Sequence, residues 1–162
     1  MALEAAEEAR RLFDYDPDTG VLTRRVRSGR AGAGSAAGTP NDRGYLRVAV
    51  RGRSYKVHRV IFLMMTGAWP PEYIDHINGD PSDNRWRNLR PATNAENQRN
   101  RTRNRDNTIG AKGVRWHRNK FNARICANGT QHYLGSFDTV EEAAAAYREA
   151  ALRLHGDFAR VE

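Results

Sequence analysis

Residues 74–100 read IDHINGDPSDNRWRNLRPATNAENQRN, and the rest of the chain is best read outward from them. Asp75 and His76 are adjacent, Asn88 follows twelve residues after the histidine, and Asn97 nine residues after that. An aspartate joined to a histidine sets a hard metal ligand and a proton acceptor at one strand end. The two asparagines add amide oxygens, one to orient the imidazole and one to complete a cation's coordination. Within the same stretch, Asn78-Gly79-Asp80 reads as a turn and Asp83-Asn84 as an Asx-type turn supporting the loop.

Divalent-metal phosphodiester cleavage requires this set of parts. Asp75 and Asn97 offer hard oxygen ligands, which suit Mg²⁺ or Mn²⁺ better than zinc. Two protein ligands leave room for water and a scissile-phosphate oxygen, so that the cation neutralises charge in the transition state. His76 is then a neutral general base, its other ring N–H donating to the side-chain carbonyl of Asn88. Activity is expected to fall below the ordinary histidine pKa of about 6.5. Arg85, Arg87 and Arg90 flank the site, and Arg85 and Arg87 are candidate phosphate contacts.

The chain has 162 residues, enough for one or two small domains. Its formal net charge of +8 and pI near 10.2 point to a polyanionic partner, double-stranded DNA being the expected one. Charge alone would also fit a ribosome-associated protein. No run of about 18 apolar residues exists, so no spanning helix and no membrane partner are expected. The opening MALEAAEEARRLF is acidic and amphipathic, without a signal-peptide core. Cys126 is the only cysteine, which excludes an internal disulfide and a multi-cysteine zinc cage. A reducing cytoplasm is the expected compartment. No obligate protein partner is evident, and monomer and homodimer both stay open.

Residues 3–13 read as a short helix, Asp16 to Gly20 as a turn, and VLTRRV as a strand. Residues 28–40 are rich in glycine and alanine and read as a flexible linker without core-forming side chains. Residues 44–58 alternate as a hairpin, with Arg51-Gly52 at the turn. From His58, HRVIFLMMTG fits a helix of two to three turns ended by Gly67, and YID beyond it is strand-like. PSDNRWRN is a polar loop. Thr93 with Glu96 has capping-box form and opens a helix that carries Asn97. Residues 98–112 hold Arg99, Arg101, Arg103 and Arg105 and read as a basic arm on a phosphate backbone.

Beyond Gly113, GVRWH, KFNARICA and QHYLGSF read as three strands, with Asn128-Gly129 a tight turn between the last two. Thr139 and Glu142 form a second capping box before an alanine-rich amphipathic helix. Strand parity turns Val114, Trp116, Phe121, Ala123, Ile125 and Leu134 toward that helix. The same parity turns Arg115, His117, Asn122, Arg124, Cys126, Gln131 and Tyr133 outward. Arg115 and Arg124 are the leading base-edge candidates, with His117, Arg118 and Tyr133 beside them. His132 and His155 show no partner and read as structural or exposed.

The motifs VHR (residues 57–59), DHINGDPSDNRWRNLR (75–90) and T-x-x-EN (93–97) resemble the HNH endonuclease family in its phage homing-type form. The resemblance covers about residues 44–100. It implies a ββα-metal (His-Me finger) core with His76 as base, Asn88 as orienting partner, and Asp75 with Asn97 on the metal. An asparagine at the third motif position matches the HNN subgroup and implies a single hard cation, Mg²⁺ or Mn²⁺. His58-Arg59 also matches the family, His58 as a structural or phosphate-contacting residue. Residues 110–160 resemble the Apetala-two/ERF DNA-binding domain, carried by YLGSFDT and the helix AAAAYREAA. That resemblance implies a three-stranded sheet laid in the major groove with the helix behind it. Tyr133 stands where plant members often carry tryptophan, so their recognition sequence is not implied.

The expected fold class is α+β, a ββα-metal nuclease core followed by a small three-stranded antiparallel sheet packed on one helix. The expected domains are 1–40 (helix, turn and flexible linker), 41–100 (nuclease), 101–111 (basic linker) and 112–162 (DNA-binding domain). The leading functional expectation is a metal-dependent DNA endonuclease that nicks or cleaves duplex DNA, targeted by its C-terminal module. The contender is a DNA-binding transcriptional regulator whose HNH fold no longer cuts, and an RNA-binding protein rests on charge alone.

Overall fold

The computed structural model describes residues 2–100 and 107–160 and divides into two compact units, Met1–Ala92 and Thr93–Glu162. The first unit opens with α1 (Ala2–Leu12), which buries Ala6 and Ala9 and runs into β1 (Phe13–Tyr15). β1 pairs antiparallel with β2 (Leu22–Arg24) across the Asp16–Gly20 turn. A three-stranded sheet follows, ordered β3 (Thr39–Pro40), β4 (Leu46–Val50), β5 (Arg53–Lys56). Alternation along β4 buries Val48 and Val50 and leaves Arg47 and Ala49 outward, as a half-buried strand requires.

α2 (Val57–Thr66) follows β5 directly and ends where the Gly67 N–H bonds to Leu63 O. Its apolar residues, Val57, Val60, Ile61 and Met64, lie in one core with Ala9, Phe13, Leu22, Ala37, Val48, Val50, Ile74 and Leu89. Last come β6 (Tyr73–His76) and β7 (Leu89–Ala92), an antiparallel pair joined by the loop 77–88, which ends in a 3₁₀ turn, Trp86–Asn88.

The second unit begins with α3 (Asn94–Arg99), capped by the Thr93–Glu96 box that its residues predict. β8 (Val114–His117), β9 (Lys120–Ala127) and β10 (Thr130–Phe137) form an antiparallel sheet in the order β10-β9-β8. Asn128 and Gly129 turn the second hairpin, both at positive φ. α4 (Val140–His155), with its Thr139–Glu142 capping box, buries Ala143, Tyr147, Ala150 and Ala151 against Val114, Ala123 and Ile125 of the sheet. Among the described residues no helix is long and apolar enough to cross a membrane.

The structure departs from the sequence reading in several places. Residues 28–40 are more than a flexible linker: Ser28 bridges Ala31, Thr23 bridges Ala36, Ala37 is buried in the first core, and Thr39–Pro40 is a sheet strand. Residues 2–40 therefore build the first unit's core and are no separate region. The division between units falls at Ala92/Thr93, so the helix bearing Asn97 lies in the second. β7 goes unpredicted because Pro91 argues against a strand, yet an edge position tolerates it. Trp116 is 52 % exposed instead of facing the helix, packed edge-on against Phe121 with ring centroids 4.6 Å apart. His155 is buried, its Nε2 donating to Cys126 O at 3.0 Å.

Candidate active site

β6 delivers Asp75 and His76 to the mouth of the 77–88 loop, and both side chains are buried. Asp75 is the cross-strand partner of Arg90, which donates from Nε (2.9 Å) and Nη2 (2.7 Å) to Asp75 Oδ2. The side chains are only 16 % and 6 % exposed, so the guanidinium neutralises a carboxylate that would be costly to bury alone. Sequence reading treats Arg90 only as a flanking arginine. Cross-strand register, visible once β7 is known, is the signal that would have found it.

His76 sits in a nest of rings. His58, from the first turn of α2, packs against it edge-on at 4.9 Å and 84°, and Tyr45 lies 5.9 Å away. Tyr45 also packs on His58 at 5.5 Å and carries Lys56 Nζ over its face at 4.1 Å. Burial pushes the His58 pKa down to about 3, with positive charge on His76 adding to the effect. Burial likewise lowers His76 below its ordinary value, against the opposing pull of its Asn84 hydrogen bond and of Asp75. Both imidazoles are therefore neutral at pH 7.

The expected partnership of His76 with Asn88 is not what the structure holds. Asn88 is buried, but its Oδ1 accepts from the Asn78 N–H at 3.0 Å. Its Nδ2 donates to Asn78 Oδ1 (3.0 Å) and Asp83 O (2.7 Å). Asn88 thus ties the loop to itself, while the Ile77 N–H bonds to Asn88 O where the strands meet. The side chain against the imidazole is Asn84, whose Oδ1 lies 3.3 Å from His76 Nε2. Nothing in the linear motif marks Asn84, because Asp83-Asn84 reads equally well as turn chemistry.

The chain's N-terminal hairpin braces the same loop. Tyr15 Oη donates to Asn84 O at 2.8 Å, and the Trp86 N–H donates to Pro17 O at 3.0 Å. Gly20, at φ +77°, lies so near the Asn84–Arg85 backbone that a Cβ there would come within 2.4 Å of Arg85 N.

Of the expected phosphate contacts, Arg85 is tied to Asp83 by Nε (2.8 Å) and Nη2 (2.5 Å), and this pair holds the Asp83 pKa down near 2. Arg87 is exposed. Arg101, Arg103 and Arg105 lie outside the described residues. Asn97 is half-buried on α3, its N–H bonded to Thr93 O, and Arg99 donates to Asn128 Oδ1 at 3.0 Å, both within the second unit. On β8 to β10, Arg115, His117, Arg118, Arg124 and Tyr133 are all exposed, Tyr133 to 58 %. Arg124 Nη1 reaches Gln131 Oε1 at 3.3 Å, and Tyr133 Oη meets Ser136 Oγ at 2.6 Å.

Among the described residues no three histidine, cysteine, aspartate or glutamate side chains converge as a metal cage. The buried carboxylate of Asp75 is a hard oxygen donor, the class of ligand that Mg²⁺ takes.

The HNH endonuclease family profile matches residues 55–99, from β5 through α3. Protein 3.8 of Escherichia phage T7 is 41 % identical over 90 residues, 54 % of this chain and 74 % of that protein. A protein of Acanthamoeba polyphaga mimivirus, described as an uncharacterized HNH endonuclease (L560), is 35 % identical over 107 residues, 64 % of this chain and 55 % of its own length. No solved structure matches. The profile match spans Asp75, His76, Asn88 and Asn97 together, and the chain carries an HNH endonuclease domain at residues 55–99.

Proposed function

We propose that the protein is a divalent-metal-dependent DNA endonuclease of ββα-metal type, with β6 and β7 carrying the Asp75-His76 end of its site, and that β8 to β10 with α4 form an Apetala-two/ERF-like DNA-binding module. The observation that carries this reading is a buried, neutral His76 beside a buried Asp75 at one strand end, in a chain of formal charge +8. HNH nucleases are generally divalent-metal dependent. Asp75 and Asn97 would hold the cation, which supplies charge neutralisation at the scissile phosphate and at the departing 3′ oxygen.

The protein's own part is proton transfer and positioning. A neutral imidazole accepts a proton from the attacking water as that water's oxygen bonds to phosphorus. The bond from phosphorus to the 3′ oxygen breaks, and the leaving oxygen takes a proton from solvent. His58 and Tyr45 wall the imidazole and keep bulk water off its faces. Arg90 holds the Asp75 carboxylate by two hydrogen bonds to Oδ2, and the exposed Arg87 can meet the backbone. In the second unit Arg115, Arg124 and Tyr133 stand on the exposed sheet face, where arginine can bridge guanine O6 and N7.

Supercoiled plasmid incubated with the purified protein and Mg²⁺ should yield nicked or linear DNA. EDTA should abolish the product and His76→Ala should reduce it by orders of magnitude. Binding without cleavage in both Mg²⁺ and Mn²⁺ would instead establish a DNA-binding regulator. Deleting residues 106–162 should weaken binding and blur site choice while leaving some metal-dependent cutting. Full site preference in that truncation would refute the assignment of the recognition module.

A further inference from the structure

We propose that Asn84 is the positioning residue for His76, holding the imidazole as the tautomer that carries its hydrogen on Nε2 and presents the Nδ1 lone pair as the proton acceptor. The inference deepens the nuclease reading and rests on it for its catalytic consequence. Asn84 is 2 % exposed, deeper than Asn88 at 6 %, and its Oδ1 lies 3.3 Å from His76 Nε2. The direction of that amide is fixed by its other end, where Nδ2 donates to Ser82 O at 3.1 Å. An amide oxygen has lone pairs only, so the ring nitrogen facing it carries the hydrogen. In a neutral imidazole the second nitrogen is then the acceptor.

The backbone beneath Asn84 is held as firmly as its side chain. Tyr15 Oη bonds its carbonyl, and Gly20 fills the space under it so closely that a Cβ would stand 2.6 Å from the Asn84 carbonyl carbon. Around the ring, the edge-on contact with His58 and the nearby Tyr45 limit rotation. When Nδ1 takes the proton from the attacking water, the Nε2–H···Oδ1 bond becomes charge-assisted and shortens, so Asn84 stabilises the imidazolium more than the neutral ring. That difference favours the transition state, which is where a positioning group acts on rate.

The test uses the full chain, labelled with ¹⁵N, as wild type, Asn84→Asp (acceptor kept) and Asn84→Leu (acceptor removed at similar volume). Long-range ¹H–¹⁵N correlation of the imidazoles at about pH 8 reads the tautomer, plasmid cleavage gives kcat and KM, and thermal melting reports folding. Wild type and Asn84→Asp should show His76 with hydrogen on Nε2, whereas Asn84→Leu should show mixed tautomers. Cleavage by Asn84→Leu should fall about 10–100-fold in kcat with KM little changed, the usual size of such an outer-shell effect, while Asn84→Asp keeps most of it. Hydrogen on Nδ1 in the wild type overturns the proposal, as does an unchanged kcat in a folded Asn84→Leu protein. If Asn84→Leu does not fold, loss of the Nε2–H tautomer in Asn84→Asp overturns it on its own. A wild type with the expected tautomer that cuts no DNA in Mg²⁺ or Mn²⁺ refutes the nuclease reading and, with it, the catalytic role, but leaves the hydrogen bond standing.

Discussion

Replacing Gly20 by alanine puts a methyl carbon 2.4 Å from the Arg85 amide nitrogen and 2.6 Å from the Asn84 carbonyl carbon, where the backbone already holds φ at +77°. Two costs add. The left-handed conformation costs an L-residue about 1–2 kcal/mol. Both colliding atoms are backbone, so no side chain can swing aside, and overpacking of this kind costs about 1–3 kcal/mol more. Gly52 supplies the control, because it has φ +72° and nothing within 4 Å of an added Cβ, so Gly52→Ala bears the first cost alone. For a domain of the size of the first unit, 1 kcal/mol moves Tm by about 4–8 °C. Gly20→Ala should therefore melt roughly 4–24 °C below Gly52→Ala by calorimetry. It should also disturb the His76 ring resonances, which Gly52→Ala should leave in place. Equal melting temperatures for the two variants would show that the N-terminal turn does not brace the 84–86 backbone.

Asn88→Ala removes three hydrogen bonds that close the 77–88 loop, and at about 1 kcal/mol each, less what water restores around the exposed Asn78, it should cost about 2 kcal/mol in chemical denaturation. Its loss of cleavage should then track loop disorder, seen as faster amide exchange at Ile77 and Asn78, whereas slow exchange with lost activity would point back to a direct role on the imidazole. The pH profile follows from burial: His76 must be neutral to accept a proton, and its pKa lies below the ordinary 6.5, so the midpoint of the acid fall in kcat should lie below pH 6.5. A midpoint at or above 6.5 would contradict the buried setting. Arg90→Ala strands the buried Asp75 carboxylate and should destabilise the first unit by about 3 kcal/mol. Mg²⁺ should raise the melting temperature of that variant more than of wild type, because the cation takes over the neutralising role, and equal shifts would count against Asp75 as a ligand.

Local chemistry made most of the elements legible in the residues. Alternation marks the hairpin of β4 and β5, the paired Thr and Glu at 93/96 and 139/142 mark two helix starts, and Asn128-Gly129 marks a turn that needs positive φ twice. Asp75 and His76 were legible because the residues that meet are neighbours in the chain. The partners of their side chains were not. Asn84 reaches His76 only after the loop folds back, and Arg90 reaches Asp75 only through a strand pairing that Pro91 hides. Residues 28–40 look core-free because alanine and glycine carry little apolar surface, yet Ala37 enters the core through backbone placement. Trp116 shows the limit of strand parity, which gives the face of a sheet but not how far along it the covering helix extends.

The bracing of the 84–86 backbone by Tyr15, Pro17 and Gly20 bears on how this chemistry could be moved between proteins. The family profile starts at residue 55, well past the hairpin that supports the loop from below. A transplant of residues 55–99 into a foreign scaffold would carry every motif side chain and leave behind the foundation on which one of their neighbours stands. Chimaeras that keep residues 13–24 together with the motif should inherit a pre-shaped loop, and those that discard them would have to evolve a substitute floor.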